Sequence, residues 1–258
     1  APQPNMLNIL NKIFDNPKSI KSRFGRLLNK LNIKKIFVAI ESFSSDSEIR
    51  YVGGCVRKIL NNEKVDDIDL ATNINPQEVK QVLKKNDIKF FETGIEHGTI
   101  TAIIDDQKYE ITSLRSDLSS DGRHAKVEFT KDWRKDAERR DFTINSIYAD
   151  INGNLFDPFN GKEDLKNGKI IFIGNEEKRI KEDYLRILRY FRFFALYSKT
   201  NHNSQTLKNI KKNLNGISRI SSERLLDEFK KIVISDSLQK LCDDEDSLEI
   251  LKLIFPQF

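Results

Sequence analysis

Between Ser19 and Leu31 apolar residues recur at helical spacing among Lys and Arg, which predicts an amphipathic N-terminal helix. From Glu48 to about Asp157 the period shortens. Six β-rich runs follow one another: Ile49 to Val52, Asp67 to Ala71, Ile88 to Phe91, Thr99 to Ile104, Tyr109 to Thr112 and Val127 to Thr130. Helical stretches interrupt them after Gly54 and from Pro76 to Lys85, with Pro76 at a favourable first-turn position. The mixture predicts an α/β or α+β domain built on one sheet. From Glu176 onward the pattern is helical throughout, broken most clearly at Asn215-Gly216. A second amphipathic helix is expected from Ser221 to Ile234, capped by Ser221 or Ser222. Asp243 to Asp246 reads as a solvated acidic patch, and Leu248 to Phe258 is still apolar and periodic, as if the chain stopped inside a larger architecture. A boundary near Leu165 to Gly174 gives three regions: an N-terminal extension and helix (1–47), a head (48–170) and a helical continuation (171–258).

Composition narrows the classes. With 38% hydrophobic and 32% charged residues in 258, the chain can bury a real core. No run approaches the roughly 18 apolar residues that span a bilayer, so no membrane partner is expected. Ala1 to Asn5 precede the only methionine, Met6, as a tag remnant does, and are left out of the fold reading. Two cysteines, Cys55 and Cys242, make no disulfide framework, and with only His97, His124 and His202 beside them a Cys/His zinc site is not expected. A reducing, cytoplasmic compartment follows, with any metal held by oxygens. The formal charge is +5, but its distribution says more: nine of the 15 arginines lie between Arg115 and Arg192. Arg's planar fork suits bidentate phosphate and carboxylate contacts, so this concentration points to a polyphosphate or nucleic-acid site.

Four stretches carry candidate chemistry. In Tyr51-Val52-Gly53-Gly54-Cys55-Val56-Arg57 the paired glycines let a backbone approach phosphate oxygens closely. Ten residues later, Asp67-Ile68-Asp69 on a strand would project two carboxylates from one face with Ile68 buried behind; their repulsion is relieved by a hard cation such as Mg²⁺. Glu110 alternates with apolar neighbours and can supply a third carboxylate, or be a surface residue on an edge strand. In Arg139-Arg140-Asp141-Phe142-Thr143-Ile144-Asn145, Asp141 fits a helix cap while the arginines reach elsewhere. Arg115 to Arg123 reads as a mobile loop over a site. Finally, Asp183, Arg186, Arg189 and Arg192 form a row spaced by three on a helix whose buried face is Ile187, Leu188, Phe191, Phe194 and Ala195.

Taken in order, these elements resemble the class II nucleotidyltransferases, the bacterial tRNA CCA-adding enzyme and poly(A) polymerase family of the DNA polymerase β superfamily. The resemblance rests on Gly53-Gly54 with Arg57, Asp67-x-Asp69, Arg139-Arg140-Asp141 with Asn145, Asp157-Pro158 with Gly161, and Glu182-Asp183 with Arg186. A weaker match, Ile217 to Arg224, is similar to the family's neck motif. The resemblance implies an α+β fold: an N-terminal nucleotidyltransferase head with a mixed β-sheet and flanking helices, followed by an all-helical neck. It further implies Mg²⁺ on Asp67 and Asp69, with Glu110 activating a primer hydroxyl. Gly53, Gly54, Arg57 and Arg140 would contact the triphosphate, Asp141 and Asn145 the ribose and local scaffold, and Asp183 with Arg186 the base; Arg189 and Arg192 match further nucleotide-site positions. The partners implied are CTP, ATP and the 3′ end of tRNA. Where the family usually has Asp after Val-Arg, this chain has Lys58, which bears on local ion pairing rather than on the metal site. The head motifs leave open CCA addition, poly(A) synthesis and CC-only or A-only addition. A non-catalytic RNA-binding or nucleotide-sensing module is disfavoured by the intact carboxylates.

Overall fold

The computed structural model describes residues 17–30, 32–119 and 126–256. Residues 1–5, Met6, Leu31, 120–124 and Phe258, named above, lie outside that description. The described residues fall into two compact units: the first is drawn from Ala1–Ser116, Val127–Ala137 and Asn145–Pro158, the second from Asp117–Lys126, Glu138–Ile144 and Phe159–Phe258. No helix among the described residues is long and apolar enough to cross a membrane.

In chain order the first part contains α1 (Pro17–Lys30), α2 (Lys34–Glu41), β1 (Ile49–Val52), α3 (Gly54–Leu60), β2 (Ile68–Thr72), α4 (Pro76–Lys85), β3 (Lys89–Gly94), β4 (Thr99–Ile104) and β5 (Gln107–Ser113). There follow β6 (Arg115–Ser119), β7 (Lys126–Phe129), α5 (Trp133–Glu138), β8 (Tyr148–Ala149) and β9 (Leu155–Phe156). Seven strands make one mixed sheet in the order β3-β4-β5-β2-β1-β8-β9, and β6 pairs with β7 separately. Every pairing in the large sheet is antiparallel except β2 with β5.

Side chains alternate along these strands, and the sequence divides the two faces by polarity. Ile49, Tyr51, Ile68, Leu70, Tyr109 and Ile111 are buried in one cluster with Phe24 of α1, Phe37 of α2, Val56 of α3 and Leu83 of α4. Phe24 and Phe37 set their rings 5.4 and 4.9 Å from that of Tyr51; each fully buried ring contributes about 1.5–3 kcal/mol. The intervening positions, among them Arg50, Asp69 and Glu110, therefore share the opposite face. Helix α4 starts where Pro76 and its neighbours dictate: Asn75 and Glu78 close a capping box around the first turn.

The structure corrects several local expectations. Strand β2 begins at Ile68, so Asp67 immediately precedes it. Glu110 lies on an interior strand, between β4 and β2. Arg115 to Ser119, expected as loop, is strand β6. Helix α2 and the two-residue strands β8 and β9 are additional elements.

The second unit contains α6 (Gly161–Asn167), α7 (Glu176–Glu182), α8 (Leu185–Tyr197), α9 (Ser204–Lys212), α10 (Ser222–Ile234), α11 (Ser237–Asp243) and α12 (Glu245–Ile254). The described residues from Glu176 onward contain no strand, as the pattern predicts. On α8, Ile187, Leu188, Phe191, Phe194 and Ala195 are all buried, and Tyr190 and Phe193 join them. Ser221, rather than Ser222, caps α10 by accepting from the Arg224 amide. Asn215-Gly216 lies inside a 3-10 helix, Leu214–Arg219, and so does not interrupt the helical run as a loop. Asp244 is no mere solvated charge, because it caps α12 and accepts from His202 Nε2 at 2.8 Å.

Candidate active site

In the first unit, Asp69 on β2 and Glu110 on β5 are direct partners in the parallel register, and Thr101 on β4 is the next partner in that row. Register partners project from the same face, so two carboxylates stand side by side on the face opposite the helices. Asp69 is half-buried, whereas Asp67 and Glu110 are exposed. No group of three His, Cys, Asp or Glu among the described residues is arranged to hold a metal ion. The donors present are carboxylate oxygens alone, and Mg²⁺ commonly takes one or two carboxylates and completes its shell with water and substrate phosphates. The donor chemistry therefore fits that ion.

Beside this row the Gly53-Gly54 turn leads from β1 into α3. Gly53 holds φ 68° and ψ −123°, a backbone region that side-chain-bearing residues rarely enter. Its amide donates to the Ile147 carbonyl at 3.2 Å and its carbonyl accepts from the Arg57 amide at 2.9 Å. One turn into α3, Arg57 is buried and its Nη1 donates to Asn145 Oδ1. These two predicted site residues, 88 positions apart, thus meet. Cys55 ties the turn to the carboxylate strand from beneath, its Sγ 3.4 Å from the Val52 carbonyl and 3.6 Å from that of Asp69. Burial first, then the nearby Asp69 charge, pushes its thiol pKa up to about 11.

In the second unit the arginines meet carboxylates and carbonyls. Arg189 Nε donates to Asp141 Oδ2 at 2.6 Å, while Asp141 Oδ1 accepts from the Phe142 amide. Asp141 therefore caps no helix; a 3-10 turn, Thr143–Asn145, follows it. Burial opposes the Arg189 charge, but the Asp141 carboxylate outweighs it and raises the guanidinium pKa. Arg192 Nε donates to Glu228 Oε1 at 2.5 Å, and the Glu228 side chain is 2% exposed. Arg179, given no role in the sequence reading, donates to the Arg139 and Arg140 carbonyls and to Glu182 Oε2. Burial lowers the Arg179 pKa, with Arg186 adding to the effect. The arginine concentration is thus largely offset inside the unit by Asp141, Glu182 and Glu228, which lie 48, 3 and 36 positions from their partners. Among these only the short spacing is visible in sequence.

The row spaced by three is also broken at its head. Asp183 is the C-cap of α7 in an extended conformation, outside α8. Its carboxylate accepts from the Leu185 amide and from Arg224, whereas Arg186 donates to the Arg179 carbonyl at 2.7 Å and Glu182 Oε2 at 3.2 Å. Asp183 and Arg186 sit one turn apart without pairing with each other.

Comparison with known proteins places this geometry. Residues 49–171 match the family model for the poly A polymerase head domain, and residues 203–258 match one described as "Probable RNA and SrmB- binding site of polymerase A". The chain is 49% identical over 197 residues to the human mitochondrial CCA tRNA nucleotidyltransferase 1, covering 75% of this chain and 45% of that protein. It is 37% identical over 216 residues to the CCA-adding enzyme of Lactobacillus johnsonii, covering 81% and 53%. Its structure is similar to that of the Bacillus stearothermophilus CCA-adding enzyme in complex with CTP, with a TM-score of 0.71 and 28% identity over 85% of this chain and 51% of that one. The chain spans about half the length of these relatives.

Proposed function

We propose, because this chain belongs to the CCA-adding enzyme and poly(A) polymerase family of the DNA polymerase β nucleotidyltransferase superfamily, that it adds C and A to the 3′ end of tRNA from CTP and ATP. The observation that carries the reading is the shared register of Asp69 and Glu110, with Asp67 one residue before the strand. Transfer joins the primer 3′-oxygen to the α-phosphorus and breaks the α–β phosphoanhydride, so pyrophosphate leaves. Glu110 takes the hydroxyl proton, which needs an exposed carboxylate next to the triphosphate. Asp67 and Asp69 would hold Mg²⁺, which when bound supplies charge that offsets the triphosphate and favours ionisation of the hydroxyl.

The remaining residues position the nucleotide. Gly53, Gly54, Arg57 and Arg140 would meet the phosphates, with Asn145 holding the Arg57 fork still. Asp141 fixes Arg189 by Nε, and Arg189 and Arg192 would line the nucleotide site beyond. Asp183 and Arg186 would read the base, since C and A present an exocyclic amine beside a bare ring nitrogen while U and G present a carbonyl beside a ring N–H. In this reading the head (48–170) carries the transfer chemistry, and the helical continuation (171–258) carries base and RNA contacts; the RNA-binding family match over 203–258 supports the latter. Two unbridged cysteines agree with a reducing compartment such as the cytoplasm.

The test is incorporation of labelled CTP and ATP into tRNA lacking its 3′ end. Ordered C, C and A addition is the expected product, and extension with ATP alone into a long tail replaces this reading with poly(A) synthesis.

A further inference from the structure

The joint between α7 and α8 is held by a segment further along the chain. Asp183 and Tyr184 interrupt the helix, Asp183 with φ −154° and ψ 103°. Three groups bear on them. Arg224 gives both ends of its fork to Asp183, Nη1 to Oδ1 at 3.2 Å and Nη2 to Oδ2 at 2.8 Å. Arg219 lies 5.7 Å from the centre of the Tyr184 ring. Gly216 lies flush against the same ring, where a Cβ would stand 2.0 Å from Cε1, so any larger residue must push Tyr184 away.

We infer that this segment, with Arg224 at its centre, positions Asp183 for choosing the nucleoside triphosphate; the inference rests on the reading of Asp183 as a base-contacting residue. An ionised carboxylate offers about four lone-pair positions. Oδ1 accepts from the Leu185 amide at 3.2 Å and from Arg224 Nη1, while Oδ2 accepts from Arg224 Nη2. One acceptor position on Oδ2 then points in a fixed direction, suited to a single exocyclic N–H from cytosine or adenine. A uracil or guanine carbonyl brings a second acceptor to the same place and makes no bond. Without Arg224, Asp183 sits on a non-helical joint with its rotamers released, and the acceptor loses its direction. Triphosphate contacts made by other residues are untouched.

The experiment measures binding of CTP, ATP, UTP and GTP to the full chain with Mg²⁺ by calorimetry. The proteins are wild type, Arg224→Ala, Arg224→Lys, Gly216→Ala and Asp183→Ala, each checked for folding by its melting curve. Arg224→Ala and Gly216→Ala are expected to reduce the preference for CTP and ATP over UTP and GTP by about tenfold, the loss of one buried hydrogen bond's discrimination. UTP and GTP affinities stay unchanged, and Arg224→Lys regains part of the preference. An unaltered preference in Arg224→Ala beside a lost one in Asp183→Ala overturns the positioning role and leaves base reading standing. An unaltered preference in Asp183→Ala overturns base reading itself and this inference with it. A uniform fall for all four triphosphates also overturns it, because a merely structural residue would act in that way.

Discussion

Asp69 and Glu110 are register partners across the one parallel seam of the seven-stranded sheet. Strands β2 and β5 are separated in sequence by α4 and the β3-β4 pair, so the two carboxylates meet only when the whole sheet forms. Like charges at neighbouring positions repel. A fold that places them together on its open face carries a local cost, and a bound cation would offset it. Replacing Asp69 by Ala should therefore abolish nucleotide transfer while leaving the melting temperature without Mg²⁺ unchanged or slightly raised. Glu110→Gln should lower the rate about 10²- to 10⁴-fold with triphosphate affinity retained, as loss of a general base requires. Single-turnover rates and thermal melts check both; a wild-type rate in Glu110→Gln removes that residue from the chemistry.

Arg192 and Glu228 give a stability prediction. Deleting Arg192 leaves a buried carboxylate without its partner, so Arg192→Ala should cost about 3–5 kcal/mol of folding free energy. Arg192→Met with Glu228→Leu together should recover most of it. Urea denaturation measures both. If Arg192→Ala is as stable as wild type and only weakens triphosphate binding, the arginine serves the ligand rather than the fold.

How far the sequence foretold this molecule can be seen residue by residue. Helix α4 was legible because Asn75, Pro76 and Glu78 carry their own start signal. Strands β1, β4 and β5 were legible because buried and open faces alternate along them. Helix α2 was not, since its N-cap is Ile33 with no side-chain cap and its apolar run Ile36 to Ile40 has no clear period. Strands β8 and β9 are two residues each, too short to carry a period. The site residues were legible as types but not as partners. Helical spacing put Asp183 in the row with Arg186, yet Arg224, 41 positions on, holds it at a non-helical joint. Long-range ion pairs leave no mark in local periodicity.

His202 sets a pH dependence. Its Nε2 lies 2.8 Å from Asp244 Oδ2 and 2.8 Å from Ser247 Oγ, its Nδ1 lies 2.7 Å from the Tyr190 hydroxyl, and its ring stacks on Phe194. These partners imply that Nε2 carries the proton and Nδ1 accepts from Tyr190. Burial lowers the His202 pKa below 6.5, with Asp244 and Asp246 opposing. The folded chain then binds fewer protons here than the unfolded one, so this contribution to stability is full above pH 6.5 and is lost as pH falls through the folded value. Melting temperature should drop between pH 7.5 and pH 5, and the drop should be smaller in His202→Asn. Equal drops in the two proteins would remove His202 as the cause.

The cysteines differ in reactivity. Cys55 is buried with its pKa pushed up to about 11, so it holds little thiolate at neutral pH. Cys242 is part-exposed. Brief iodoacetamide treatment of the folded protein followed by mass spectrometry should find label on Cys242 and none on Cys55. Labelling of Cys55 at a comparable rate contradicts the packing of the Gly53-Gly54 turn against β2.

The central claim is transfer chemistry at the Asp67, Asp69 and Glu110 carboxylates. Its most direct test follows pyrophosphate release and primer extension together, with CTP and tRNA lacking its 3′ end, as Mg²⁺ is titrated into wild type and the Asp67→Asn and Asp69→Asn proteins. The account predicts one pyrophosphate for each C added, saturating dependence on Mg²⁺, and loss of both signals in either variant while CTP still binds. Extension that persists in chelator, or that survives in Asp69→Asn at the wild-type rate, contradicts it.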